Sequence, residues 1–277
     1  MGEPKYLYKF RSFSNPDHKR MLTENELYFS SPNNLNDPFD SSIPIRYDLC
    51  GDKEANEKAF RYQMDFLTNE YPELDTKELT ERAKEYCKFI YEHPKEVEEA
   101  AREISRELTT EIGVFSLCKD YRNILLWSLY ADKHRGFCVG FRTKKLLKFF
   151  LSNFAETAEG ISLERVHYSK RYPFINAYTT SEAEKLRCLT TKASTWKHER
   201  EYRLIMVGFP NRPFKIDYGV VKSLILGCGM RECDKNEVIS IVKSRPDRIS
   251  LYQARMKKHD FGLDFDRIDI DSTEHLA

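Results

Sequence analysis

The sequence is poor in the two residues that punctuate irregular chains, with 11 glycines and 11 prolines in 277 residues. That scarcity excludes a collagen-like or low-complexity chain. No stretch approaches the roughly 18 consecutive apolar residues of a membrane-spanning helix, so no membrane association is expected. No apolar segment follows Met1-Gly2-Glu3-Pro4-Lys5, so no secretory signal is expected either. Tyr6 occupies the place where a myristoylation signal carries Ser or Thr. The cysteines, Cys50, Cys87, Cys118, Cys138, Cys188, Cys228 and Cys233, are odd in number and scattered, with no CxxC pair. A disulfide framework is therefore not expected, no metal site is expected, and a reducing cytoplasm is the natural compartment. There is no GxxxxGKS or GxxxxGKT, no HExxH, no GxSxG and no EF-hand loop. Those absences speak against P-loop, zincin and serine-hydrolase chemistry.

What is present is an ordinary globular composition: 40% hydrophobic, 32% charged and 13% aromatic, enough to bury a core. The net charge of +1 hides an asymmetry. Residues 52–111 hold 17 acidic and 10 basic side chains, and the rest of the chain holds 27 acidic and 35 basic. A solvated helical face explains the acidic block, and an anionic ligand would suit the basic remainder.

Alternation predicts strands at Tyr6–Phe10, Leu27–Phe29, Gly113–Cys118, Gly136–Phe141, Leu163–Tyr168, Glu201–Val207, Val220–Leu226, Ile249–Ala254 and Leu263–Ile268. From Asp52 to Thr110 the period changes to that of helices, separated by Pro72 and Pro94. Three apolar stripes are expected there, the last through Val97, Ala101, Ile104 and Leu108. Asp75 resembles a helix N-cap, and Ser181 with Glu184 a capping box opening a helix to about Lys192. A polar helix or turn is expected over Asn15–Thr23, and shorter helices over Asn123–Tyr130, Thr143–Ser152 and Cys233–Lys243. The fold expected is α+β, a mixed and mainly antiparallel sheet core. It forms a single domain over 1–277 with an acidic three-helix insertion at 52–111.

Several clusters could carry chemistry. Trp196-Lys197-His198-Glu199-Arg200-Glu201-Tyr202-Arg203 is the densest. Strand alternation puts Glu199, Glu201 and Arg203 on one face, where a guanidinium keeps a carboxylate ionised. Such a carboxylate can hold a ribose hydroxyl or stabilise a cationic transition state; a surface ion pair is the plainer reading. Asn36-Asp37-Pro38-Phe39-Asp40 is either an Asx turn or a pocket wall presenting Asn36 and Asp37. Arg11, after Tyr8 and Lys9 on the first strand, suits a phosphate. Trp127 and Tyr130 share a helix face, as core or as a stacking platform. His134 has no partner visible in the sequence. Gly227-Cys228-Gly229 sits where a dinucleotide fingerprint would, but Glu232 replaces its third glycine.

Taken in order, Leu7-Tyr8-Lys9-Phe10-Arg11-Ser12, Leu27-Tyr28-Phe29-Ser30-Ser31-Pro32, Asn36-Asp37-Pro38-Phe39-Asp40, Trp127-Ser128-Leu129-Tyr130-Ala131-Asp132, Gly136-Phe137-Cys138-Val139-Gly140-Phe141 and Trp196 with Glu199-Arg200-Glu201-Tyr202-Arg203 form a specific set. The chain thereby resembles a widespread bacterial family of unassigned function, domain of unknown function number two-nine-seven-one. The layout is also similar to that of ADP-ribosyltransferases. Those place an Arg or His on an early strand, a hydroxyl residue later and a Glu, often in Glu-x-Glu, near a late strand. The likeness casts Arg11, then Ser30 or Tyr130, then Glu199 and Glu201 in those roles, although no Ser-Thr-Ser strand follows Arg11.

Three functions stay open. One is an NAD-using ADP-ribosyltransferase-like enzyme or NAD glycohydrolase. In it NAD is the substrate, Arg11 holds a phosphate, Glu201 steadies the ribose cation, and Tyr8 or Trp127 stacks on nicotinamide. Another is a nucleotide or nucleic-acid sensing module without catalysis, whose helical insertion docks a partner chain. The third is a metal-dependent nuclease using Asp37, Asp40 and Glu201 as oxygen ligands.

Overall fold

A computed structural model describes residues 2–41, 44–47, 53–178 and 181–270. Cys50 and Asp52 lie outside the described residues. Contacts divide the chain into two compact units. The first comprises Met1–Ser31, Glu111–Tyr168 and Ser194–Ala277, and the second Pro32–Thr110 and Ser169–Ala193. The second unit is thus wider than the helical segment expected at 52–111, since it takes in chain on either side of it.

In chain order the described elements are β1 (Tyr6–Arg11), α1 (Pro16–Thr23), β2 (Glu26–Phe29), β3 (Ile45–Arg46), α2 (Lys53–Glu70), α3 (Thr76–Glu92), α4 (Pro94–Thr110), β4 (Ile112–Cys118) and α5 (Ile124–Tyr130). Then follow β5 (Phe137–Arg142), α6 (Thr143–Phe154), β6 (Gly160–Arg165), β7 (His167–Ser169), β8 (Ile175–Asn176), α7 (Glu182–Leu189) and β9 (Thr191–Ala193). Last come β10 (Glu201–Val207), β11 (Arg212–Lys215), β12 (Val221–Leu226), α8 (Glu232–Ser244), β13 (Ser250–Met256) and β14 (Leu263–Ile268). Short 3-10 turns occupy Pro32–Asn34 and Ser194–Glu199. The architecture is α+β.

The first unit is built on an eight-stranded sheet in the order β14-β13-β12-β5-β1-β4-β10-β6. Its neighbours are antiparallel except β12 and β13, which α8 connects as a parallel crossover. Period-two alternation sorts its side chains into two apolar clusters. Leu7, Leu117, Phe137, Val139, Phe141, Leu204 and Met206 form one, with Met21 and Leu22 of α1, Leu146 and Phe150 of α6 and Val238 of α8 packed in. Phe10, Cys118, Cys138, Ile225 and Ala254 form the other, covered by Leu126 and Trp127 of α5.

The helix starts follow their caps. Asn15 accepts from the Asp17 amide just before Pro16, which supplies the first helical residue. Asn123 accepts from the amides of Leu125 and Leu126. Ser181 and Glu184 form the expected capping box, but α7 ends at Leu189 instead of running to Lys192. Lys192 lies in β9, where its ammonium meets the Asp40 carboxylate at 3.3 Å, with both side chains buried.

In the second unit, α2 and α3 bury Leu67, Leu79 and Ala83 against Phe60 and Met64. The stripe expected on α4 is corrected: the helix buries Ala101, Ser105 and Thr109, four apart, and leaves Ile104 and Leu108 exposed. The small side chains of that face allow close packing, and the Thr109 hydroxyl bonds the Asn33 side chain at 2.9 Å.

One close approach in the first unit depends on glycine. Asp132, Lys133 and His134 are three successive non-glycine residues with positive φ, 47°, 53° and 67°. That is an uncommon left-handed turn, and it carries strain. It is held against Gly227, whose amide donates to the Gly136 carbonyl at 2.9 Å while the Gly229 amide donates to His134 at 2.9 Å. A Cβ on Gly227 would lie 2.0 Å from the His134 carbonyl oxygen; one on Gly229 would lie at 3.4 Å. The Gly227-Cys228-Gly229 turn therefore seats a backbone, and the dinucleotide reading is not needed to explain its glycines. Gly227→Ala should lower the urea-unfolding free energy by at least about 2 kcal/mol, and Gly229→Ala by under about 1 kcal/mol. Equal costs for the two would contradict this account.

Candidate functional site

The sheet opens where β1 meets β4. The two strands share one ladder pair, Tyr8 with Cys118. Further along β4, Val114 exchanges both backbone bonds with Ser30 instead, at 2.8 and 3.0 Å. Between those pairs the Ser116 carbonyl accepts from the Lys9 ammonium at 2.6 Å. A side chain has taken over a ladder bond, and a cation stands where the strands part. Lys9 also lies over the Phe115 ring, 5.1 Å from its centroid. Burial, then the nearby Arg11, push its ammonium well below the ordinary lysine value, while Glu201 and Glu199 pull the other way.

Arg11 keeps some exposed surface, yet burial lowers its guanidinium to about 10. It has no hydrogen bond or ion pair among the described residues. His18, near the start of α1, is held down at about 4 by burial and then by Arg11, and its buried Nδ1 has no hydrogen-bond partner. Lys9 and Arg11 thus form a cationic group on β1, with His18 of α1 beside it and neutral at neutral pH.

The carboxylates come from β10 and the turn before it. Glu201 and Arg203 share a face of β10, as alternation requires, and form a two-pronged pair: Nε to Oε1 at 2.9 Å and Nη2 to Oε2 at 3.2 Å. Arg203 is 0% and Glu201 5% exposed. This is a buried ion pair and not the surface pair of the plainer sequence reading. Glu199, also 5% exposed, accepts from the Tyr130 hydroxyl at 2.6 Å. Between the glutamates Arg200 has φ +47°, a left-handed turn that ends the 3-10 segment and starts the strand. The Asn123 side chain ties α5 to the same turn, donating to the His198 carbonyl at 2.6 Å. Cys118, beside these groups, has its thiol pushed up to about 12 by burial, so it is not a nucleophile at neutral pH.

The structure does not gather every residue picked from the sequence. Tyr8 and Arg11 are three apart on β1, and so face opposite sides of the sheet. Tyr8 packs against Tyr121, 4.9 Å between centroids. Trp127 is 0% exposed, edge-on to Phe10 at 5.0 Å, with its indole N–H on the Tyr121 carbonyl at 2.8 Å. It is core, and its ring face offers no stacking platform. His134 stacks on Trp127 with 6.3 Å between centroids.

Asn36 and Asp37 belong to the second unit. Asn36 is exposed, and Asp37 accepts from the Phe39 amide at 3.0 Å in an Asx turn. Asp37 and Asp40 line a cleft of about 660 Å³ with Arg102, Arg106 and Thr109 of α4. Among the described residues no three His, Cys, Asp or Glu are grouped to hold a metal ion. Asp40 is paired with Lys192 and Glu201 with Arg203. Lys9 and His18 are what the sequence reading missed at the site. Lys9 stood in the quoted motif, but alternation alone gave it no partner.

Residues 126–204 match a family model. It is the one described as Protein of unknown function (DUF2971). It is the family that the ordered motifs resemble, and the match takes in the last three of them. The match runs from α5 to β10 and so includes Tyr130, Glu199, Glu201 and Arg203. Neither the curated proteins nor the solved structures contain a match. Among the described residues no helix is long and apolar enough to cross a membrane.

Two measurements check this geometry. Arg203→Leu leaves a buried carboxylate unpaired and should cost about 3–5 kcal/mol in urea unfolding, whereas the Glu201→Leu, Arg203→Leu double variant should cost less than Arg203→Leu alone. The His18 value lies below that of an unfolded histidine, so the unfolded chain binds the extra proton first. The histidine's contribution is complete above about pH 6.5 and is lost as pH falls toward about 4. Wild type should therefore lose more stability across that window than His18→Gln, and parallel losses would remove the assignment.

Proposed function

We propose that the first unit binds NAD and cleaves its nicotinamide–ribose bond, as an ADP-ribosyltransferase-like enzyme or an NAD glycohydrolase. One observation carries the reading. Lys9 feels the charges of Arg11, Glu199 and Glu201, which are distant in sequence, and Tyr130 donates to Glu199. The Arg11 guanidinium, without an anionic partner among the described residues, suits a pyrophosphate oxygen. A carboxylate at the Glu199–Glu201 turn would steady the positive charge that grows on the ribose. Nicotinamide leaves with the electron pair of the C1′–N bond. Water or an acceptor then bonds to C1′ and gives up its proton. Cys118, Cys138, Cys188, Cys228 and Cys233 are free thiols, which suits a reducing cytoplasm.

The burial of both glutamates favours a second reading, nucleotide binding without catalysis. Both oxygens of Glu201 are already bonded to Arg203.

Incubation with NAD, followed by mass spectrometry of free nicotinamide, separates the two. Under the enzymatic reading wild type releases nicotinamide, and Glu199→Gln or Glu201→Gln lowers the rate at least about a hundredfold. Arg11→Ala should raise KM with a smaller change in kcat. NAD binding by calorimetry without nicotinamide release would select the second reading. Absence of both would remove NAD from the account.

A further inference from the structure

Away from the Glu199–Glu201 turn, the first unit carries a groove of about 470 Å³. Tyr6 and Tyr8 of β1, Tyr252 of β13 and Phe265 of β14 line it, with Tyr121 from the loop after β4. Those aromatic side chains come from both ends of a five-strand run, β14-β13-β12-β5-β1. The middle of the floor is low. Gly140 pairs with Tyr8 on one side and Ser223 on the other, and a Cβ on it would lie 2.5 Å from Ser223 Oγ and 3.0 Å from the Tyr8 ring. Tyr8, Tyr121 and Phe265 form a continuous aromatic wall, each neighbouring pair 4.9 Å apart.

The charges on this groove are one-sided. Arg122, Lys222 and Lys257 line it against a single carboxylate, Asp264, which interacts with Arg255. None of the three cations has an ion-pair partner among the described residues. Arg122 instead lies over the Tyr121 ring, 4.4 Å from its centroid. Lys222 is the extra residue of a β-bulge, where the β12–β5 register shifts between Val221 and Ser223. A bulge re-aims a side chain that regular alternation would send to the other face.

Aromatic rings with flanking unpaired cations suit a chain of bases joined by phosphates: the rings stack on bases and the cations follow the backbone. The groove brings five aromatic rings and three cations together on the first unit. We propose that it binds single-stranded nucleic acid. This does not rest on the NAD reading, because Lys222, Tyr252 and Lys257 have no part in nicotinamide release.

The test is fluorescence anisotropy of the full chain with labelled single-stranded DNA and RNA of about 12 nucleotides. Wild type should bind at least one of them, and affinity should fall steeply with salt. Tyr252→Ala should weaken binding roughly tenfold, and the Lys222→Glu, Lys257→Glu double variant at least as much, with unfolding midpoints unchanged. Nicotinamide release by these variants should equal that of wild type, which separates failure here from failure of the NAD reading. Three results would overturn the proposal. One is no binding by wild type. Another is binding that the groove variants leave intact. The third is a mononucleotide that competes as well as the strand does, which would make the groove a nucleotide pocket.

Discussion

Charge buried at the junction of β1, β4 and β10 is the constraint on which the first unit is organised. Arg203 is fully buried and Glu201 nearly so, and a charge that deep is tolerated only with a partner in good geometry. The two-residue spacing on one strand supplies that partner. Lys9 meets the same demand differently, by accepting a place in the ladder and donating to the Ser116 carbonyl. That bond keeps β4 satisfied while β1 turns away. An apolar residue at position 9 would leave the Ser116 carbonyl without this donor.

The same sheet is used on both faces for different ends. Alternation sends Tyr8 to the aromatic groove and Arg11 to the cationic group, so one short strand serves two surfaces. Glycine and left-handed residues appear where backbones must pass closely. Gly140 leaves room for the Tyr8 ring and Gly227 for the His134 carbonyl. Arg200 turns the chain between the two glutamates at the cost of a left-handed conformation. Strain of this kind, about 1–3 kcal/mol per residue, persists only where surrounding structure holds it. Here Asn123, Tyr130 and Arg203 provide that hold.

Much of this fold was legible because its signals are local. Leu7, Leu117 and Phe137 alternate with Tyr8, Cys118 and Cys138, and Asn15, Asp75, Asn123 and Ser181 mark helix starts by capping chemistry. What was not legible depended on distant partners or on small residues. The buried face of α4 is Ala101, Ser105 and Thr109, which no hydropathy stripe reveals. The strand β11 contains Pro213 and pairs only with β2, an edge position that a propensity reading passes over. At the site, the Glu201–Arg203 pair followed from alternation, but its burial did not, because charged residues in sequence read as surface. The groove could not be read at all, since its rings come from strands far apart in sequence.

The segment that carries the family match supplies Tyr130, Glu199, Glu201 and Arg203, whereas Lys9, Arg11 and His18 come from the first strand and helix. The site is therefore assembled across the β1–β4 junction, where the ladder has one pair, Tyr8 with Cys118. On its other side β1 is paired along its whole length with β5, from Tyr6 to Arg11. That arrangement gives the cations and the carboxylates different supports. Arg11 moves with β5, while Glu201 moves with β4 and β10. The spacing between Arg11 and the glutamates then depends chiefly on one ladder pair and on the Lys9–Ser116 bond.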